Sequence, residues 1–386
     1  GLLDSAFSLF YTSFQLPRGI LADALGVHLI LTSLIGLWSV GLALHAWTPG
    51  YGPLWIARAV LGLGQSAAYA CLSRITRTWF PQSIRTTVQG WLAVFFGRFG
   101  GLSANLLVGT VMLGVLEMPW QIVIWIMAGI GIAHAIVFAS LFRNSPRDHP
   151  GVNEAEADLI AEGSAEPKAR LGIWEMFRRM SPRSIVNLLV LNIQTILSTL
   201  ADNIYSAWIP LYLWQVHGLK FKEMGFYSAL PLLGGALGGA MGGWLNDWTI
   251  KKLGSRRWGR SVVGLAGKGI AGILLITSLL LWYDSPRFFC VMLFFVKFFS
   301  DWSLTTTWGA VTDIGGRTSA TVFAFNNSIA GVGSILAPLI YGTMAKLEGW
   351  IPVFSTAAVA YVVCALSWLL INSTIPVVKE TEDQEQ

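Results

Sequence analysis

Gly19-Ile-Leu-Ala-Asp23 closes an apolar run near the front of the chain, and Gly243-Trp-Leu-Asn-Asp247 closes another in its second part. The same GxLxD device at the same kind of place in two parts of one chain is the trace of an internal duplication. Two repeats, hydrophobic throughout and facing each other around a central site, are the plan of secondary transport proteins.

Composition agrees with a bilayer setting. Of 386 residues 54% are hydrophobic and 12% charged, with 41 Gly and 18 Trp, whereas a soluble domain carries about 25% charged residues. Apolar stretches separated by short polar turns meet the roughly 20 residues that a helix needs to cross a hydrocarbon core about 30 Å thick. Eleven are expected, at 1–22, 28–47, 53–78, 85–114, 120–142, 185–214, 224–248, 260–283, 287–311, 318–345 and 350–373.

The net charge of +5 is distributed for topology and not for nucleic acid. Roughly seventeen Lys and Arg occupy one alternating set of loops and the C-terminal tail, against about four in the other set. The rich side includes Arg74, Arg77 and Arg85, Arg143 to Arg183, Lys251, Lys252, Arg256, Arg257 and Arg260, and Arg317. It is expected to face the cytoplasm, and the short loops Thr48-Pro-Gly-Tyr-Gly-Pro53 and Glu117-Met-Pro-Trp120 to face outward. Residue 1 then starts outside with no helix to bring it there, so a twelfth span upstream is expected, a cleaved signal peptide being the competing explanation.

Hydrophobicity stops from Arg143 to about Pro182. This divides the chain into a first bundle at 1–142, a surface linker at 143–182, a second bundle at 183–374 and a tail at 375–386. Within the linker, Trp174-Glu-Met-Phe-Arg-Arg179 reads as an interfacial helix, its aromatic and Met faces toward lipid and its Arg pair among headgroups. Cys71, Cys290 and Cys364 stand alone in apolar surroundings and read as packing residues; the five His are scattered. No metal-ligand spacing and no nucleophile, base and orienter set is present, so no metal, cofactor or enzymatic chemistry is expected.

The duplication extends beyond the opening motif. Arg85-Thr-Thr-Val begins one expected helix of the first bundle and Arg317-Thr-Ser-Ala-Thr-Val begins its counterpart, each followed by glycines, Gly97, Gly100 and Gly101 or Gly331 and Gly333, suited to close helix approach. Asp23 and Asp247 end their helices, where an acid caps a neighbouring helix or pairs with a loop Arg, Arg85 being the candidate for Asp23. Both are gate chemistry. A solvated acid is the plain alternative, weakened by the second copy.

On these motifs the chain resembles the major facilitator superfamily, whose two six-helix halves carry this device after the second and eighth helices. More finely, Pro146-Arg-Asp-His-Pro-Gly-Val-Asn153 with Glu154-Ala-Glu-Ala-Asp-Leu-Ile160, Tyr11-Thr-Ser-Phe-Gln-Leu-Pro17 and Trp208-Ile-Pro-Leu-Tyr-Leu213 resemble the anion:cation symporter family. That family holds hexuronate, galactonate and glucarate transporters of bacteria and sialic acid and vesicular glutamate carriers of animals. The resemblance implies an all-α membrane protein of major facilitator fold with two pseudo-symmetric half-bundles. It further implies a monomer in a plasma membrane, here a bacterial inner membrane. The family's first helix, which supplies a substrate-binding Arg and Tyr, lies upstream of the visible chain on this reading.

Charges inside spans each cost about 2.5–3.5 kcal/mol at a helix centre on insertion scales, so they need a reason. Arg58, Arg98, Asp202, Lys268, Lys297 and Asp301 are such charges. Arg58 and Gln65 lie seven apart, on one helix face. A guanidinium facing a cavity clamps a carboxylate; the alternative is that Arg58 snorkels to the outer interface. By resemblance Arg58 matches the Arg of the family's coupling network, whose usual partner is a Glu where Gln65 stands. Gln cannot take up a proton, so another acid, Asp202 or Asp301, couples transport, or the ion differs, or the carrier exchanges or facilitates. Asp301 also reads as a pair with Lys297 one turn earlier.

Arg98, in Phe95-Phe-Gly-Arg-Phe-Gly-Gly101, is the preferred anion contact of the first half; the alternative is a partner for Asp202 or Asp301 across the halves. By resemblance Tyr11, Trp308 and Asn327 match the lining of the sugar-acid site, although each alone reads as a packing residue. Asn203 and Tyr205 are weaker additions. Moving one net negative charge into a negative cytoplasm costs about 2.3 kcal/mol per 100 mV, which a cotransported cation, proton or sodium, would cancel. The expected function is thus cation-coupled symport of an organic anion, a sugar acid above all, by alternating access. An organophosphate:phosphate exchanger, a neutral-sugar facilitator and a non-transporting sensor are the alternatives. A second Arg beside Arg98 would favour phosphate; a single Arg among amides and Trp favours a sugar acid.

Overall fold

The computed structural model describes residues 2–47, 50–80, 88, 90–161, 173–205, 208–315 and 319–378. The described chain is helical: α1 (Leu2–Leu25), α2 (Val27–His45), α3 (Tyr51–Gln65) and α4 (Ala68–Trp79) are followed by α5, which runs through Gly90–Phe95, Phe96–Ala104 and Asn105–Val115 with π winding at both ends. α6 (Trp120–Leu141) completes the first set, and α7 (Glu154–Ala161) and α8 (Ile173–Arg179) are short. Then come α9 (Pro182–Asp202), α10 (Trp208–His217), α11 (Phe221–Leu253), α12 (Arg256–Leu281), α13 (Pro286–Gly315), α14 (Ser319–Leu347) and α15 (Trp350–Ser367). Leu, Ile, Ala and Val dominate these segments, and in hydrocarbon a helix is the one open-ended conformation that satisfies its own backbone. Ser181 and Ser255 cap α9 and α12 by accepting from Ser184 N and Trp258 N, with Pro182 opening α9. At Gly254 a left-handed φ of 61° ends α11 and turns the chain directly into α12.

Eight described helices are long and apolar enough to cross a membrane. The expected spans 1–22, 53–78 and 224–248 correspond to α1, the α3–α4 pair and α11, which do not meet that measure. α1 carries Ser, Thr, Gln15 and Arg18, α11 is diluted by glycine, and the α3–α4 stretch is broken at Ser66-Ala67. Their polar and glycine positions make protein contacts: Gln15 with Asn327, Arg18 with the Leu63 carbonyl. The long glycine series of α11 lets it lie directly on α13: a Cβ at Gly234 or Gly238 would collide with the carbonyls of Phe294 and Phe298. Leu280, Leu281, Ile136 and Leu141 are exposed on the outer faces.

Helices α1, α2, α3 and α6 pack together, and α9 and α11–α15 form a second bundle. The two meet along α1 with α14 and along α5 with α11. Gly331 accepts Thr12 of α1 at the first seam and Gly225 accepts Thr110 of α5 at the second, while Gly101 packs against Leu232. Gly333 instead faces α9 inside its own bundle, and Gly100 meets open space. One expectation for the linker is corrected. Met176 on α8 is fully buried in a cluster with Val311, Ile314 and Trp368, and Phe177 packs edge-on against Phe325, so this helix turns its Met inward onto the second bundle and not to lipid.

Candidate functional site

Two helix interruptions place the polar groups between the bundles. At the first, α3 ends on Gln65 and α4 begins at Ala68; the Leu63 carbonyl, freed from the ladder, accepts from Ser66 N at 3.3 Å, from Ser66 Oγ at 2.9 Å and from Arg18 Nη1 of α1. At the second, α9 ends on Asp202 and passes into a 3₁₀ turn, Asn203–Tyr205. A helix C-terminus is the negative end of its dipole, so a carboxylate there requires cations close by.

Asp202 has them. Its Oδ2 accepts from Lys297 Nζ at 2.8 Å and from Arg98 Nη2 at 3.1 Å, and its Oδ1 from Tyr361 Oη at 2.9 Å. Asp301 accepts from Arg98 Nε at 2.9 Å on Oδ2 and from Lys297 on Oδ1. Arg98 comes from α5 of the first bundle, and the other members belong to α9, α13 and α15 of the second. Lys268 of α12 donates to Ser300 Oγ at 2.8 Å and lies 4.6 Å over the Tyr361 ring, whose hydroxyl is 3.3 Å from that of Tyr205. Lys297 lies 5.4 Å over the Tyr205 ring. Lys268, Lys297 and Asp301 are fully buried, whereas the Arg98 side chain is 25% exposed. A Cβ at Gly235 would strike Asp301, so α11 leaves the room that this carboxylate occupies.

A second layer carries amides and rings. Asn327 Nδ2 of α14 donates to Gln15 Oε1 of α1 at 2.7 Å across the bundles. Beside it Asn326 Nδ2 donates to Asn192 Oδ1 at 2.8 Å and Thr195 Oγ1 at 3.2 Å. Gln15 Nε2, Gln194 Nε2 and Ser328 Oγ are buried and have no hydrogen-bond partner among the described residues, donors whose burial without a partner is costly. Trp308 meets Tyr69 edge-on from the opposite bundle, with centroids 6.3 Å apart, and Tyr11 stacks on Phe7 at 5.8 Å. Asn203 turns back to the Thr199 carbonyl at 3.0 Å and approaches Ser334 Oγ at 3.5 Å.

Arg58 sits apart from these. Its Nη2 is 3.7 Å from Asp4 Oδ1 of α1, and both side chains are more than a third exposed. Gln65 is at the far end of the same helix, at its break. The structure thus gathers Arg98, Asp202 and Asp301 into one cluster and Asn327 and Trp308 into the seams between bundles, and leaves Arg58 away from both. At the gate motifs, Arg85 and the side chain of Asp23 lie outside the described residues, and Gly19 packs on Ala70. In the second copy Asp247 is exposed, Gly243 meets open space, and the close ion pair is Arg260 Nε to Asp313 Oδ2 at 2.6 Å, within electrostatic reach of Asp247. The Arg260 guanidinium packs over Gly309, where a side chain would collide with it.

Sequence reasoning placed Lys268 and Lys297 among buried charges without joining them to a site, and it missed Tyr361, Ser300, Gln15 and Gln194. Gln194 had a signal: with Asn192, Thr195 and Ser198 it makes a polar stripe in the middle of a hydrophobic span. Tyr361 had none, since a single Tyr in a span reads equally as an interface anchor.

The family model described as Major Facilitator Superfamily matches residues 1–282. A protein described as a probable sulfoacetate transporter of Cupriavidus necator is 26% identical over 382 residues, covering 98% of this chain and 86% of the relative. A D-galactonate transporter of Escherichia coli is 25% identical over 385 residues (96% and 86%), and a hexuronate transporter of Escherichia coli 24% over 395 residues (98% and 87%). The crystal structure of the human organic anion transporter MFSD10 superposes with a TM-score of 0.60 at 17% identity, covering 96% of this chain and 83% of that one; it is similar in fold.

Proposed function

This chain belongs to the Major Facilitator Superfamily, and from that premise we propose that it carries organic anions across a membrane, with a sugar acid as cargo and a cation as driving partner. It is a multi-pass membrane transporter and not an enzyme. The observation that carries the reading is Arg98, which reaches from one bundle to Asp202 and Asp301 of the other. A guanidinium held by two carboxylates through Nε and Nη2 at the interface between the bundles still has Nη1 to offer a cargo carboxylate. The amides Gln15, Asn327 and Gln194 and the Trp308 ring suit a hydroxylated body attached to that carboxylate.

Phosphate exchange is supported less well. Arg18 is bound to the Leu63 carbonyl and Arg58 lies by Asp4, so no second guanidinium joins Arg98 among the described residues. For coupling, Asp202 and Asp301 are the acids of the site and Gln65 offers none, which favours a proton or sodium step in the second bundle. In this reading residues 1–142 and 183–374 rock against each other about Arg98, Trp308 and Asn327, exposing the site to one side at a time. The excess of Lys and Arg on one set of loops supports a cytoplasmic linker at 143–182 and a cytoplasmic tail, in a bacterial inner membrane. The Asp247 and Arg260 region and its first-bundle counterpart would act as the cytoplasmic gate. Uptake of labelled galactonate, glucuronate and sulfoacetate into proteoliposomes tests the function. Uptake of one of them, competed by the others, is expected; a carrier indifferent to all three under proton, sodium and voltage gradients would end this reading.

A further inference from the structure

We infer that the buried cluster is a docking place for one carboxylate, and that Lys268, which touches no cargo, sets this specificity by supplying the positive charge that the two aspartates leave unmatched. The inference rests on the organic-anion reading above. In the ionised cluster three cations, Arg98, Lys268 and Lys297, face two carboxylates, Asp202 and Asp301. Both carboxylates are filled by Arg98 and Lys297, with Tyr361 on the remaining Asp202 oxygen. Lys268 is left to a hydroxyl and an aromatic face, fully buried. A buried charge with no opposite charge in contact is expensive, and in a low-dielectric interior its field reaches well beyond its neighbours.

The place where an anion can answer that field is at Arg98. Its Nε and Nη2 hold the aspartates, its Nη1 engages none of the described residues, and it alone among the three cations is partly exposed. The excess also depends on conformation. When α5 withdraws Arg98, the two lysines and two aspartates of the second bundle balance; when Arg98 docks, one positive charge is left over. A monoanion therefore binds best to the docked arrangement, and binding it draws the bundles together. Lys268 is a positioning charge in this scheme, acting through the cluster and not by contact.

The test compares binding of galactonate and of the neutral polyol galactitol to the purified carrier. The wild type is expected to prefer galactonate. Lys268→Met should weaken galactonate by about tenfold or more, leave galactitol unchanged, and bring the two ligands level, while Lys268→Arg keeps the preference. Asp202→Asn added to Lys268→Met restores one excess positive charge and should restore the preference, which a merely structural lysine would not do. Undiminished galactonate binding in Lys268→Met overturns the inference and leaves the transport reading standing. Equal loss of both ligands without rescue by Asp202→Asn overturns it as well. A wild type with no preference for the carboxylate overturns both.

Discussion

The two bundles handle charge in opposite ways. In the second, Asp202, Asp301, Lys268 and Lys297 come from α9, α12 and α13 into a largely buried network that balances internally. In the first, Arg58 and Asp4 are a loose pair 3.7 Å apart, each more than a third exposed, and Gln65 at the end of α3 cannot take up a proton. Among the described ion pairs, those of Arg98 cross between the bundles. Buried ionic networks are costly to break and weak as net stabilisers; in the proposed cycle this network is rearranged, and Arg98 is the member that the motion removes.

The largest effect is expected where the comparison is broken outright. Arg98→Ala removes the charged contact between the bundles while Lys297 still pairs with both carboxylates, so uptake should vanish while the thermal midpoint falls only modestly. Asp301→Asn comes next: exchange of internal for external cargo should persist, while gradient-driven accumulation falls to near equilibrium, a split read by comparing counterflow with net uptake. Gln65→Glu would sharpen the comparison by returning an acid to the first bundle. The side chain then gains the capacity to carry one more proton, seen as an increased positive charge moved per cargo molecule. Asn327→Ala removes the 2.7 Å bond to Gln15. A loss of about 1 kcal/mol is typical of one such bond and should appear as a severalfold rise in KM for the cargo. Arg58→Gln should do least, within about 1 kcal/mol for an exposed pair, checked by an almost unchanged thermal midpoint.

Much of the architecture is legible in the chain because periodic hydrophobicity and a repeated motif are local signals. The i,i+4 spacing of Lys297 and Asp301 likewise predicts their contact. What joins Lys297 to Asp202, or Arg98 to either acid, is packing between helices far apart in sequence, and no local pattern encodes it. The break after Gln65 escapes notice for a related reason: Ser66-Ala67 contains no Pro or Gly, and the interruption depends on Arg18 arriving from α1 to take the Leu63 carbonyl. α11 and α1 read as ordinary spans although their glycine and polar content reflects protein contact, and Met176 reads as lipid-facing because an amphipathic helix does not announce which surface covers it.

The most direct test of the central claim, that an acid of the second bundle now does the work Gln65 cannot, is galactonate accumulation in proteoliposomes under an imposed proton gradient, comparing wild type with Asp202→Asn and Asp301→Asn. Accumulation by the wild type that collapses in at least one Asn variant while exchange survives is the predicted result. Undiminished proton-driven accumulation in both variants would contradict it.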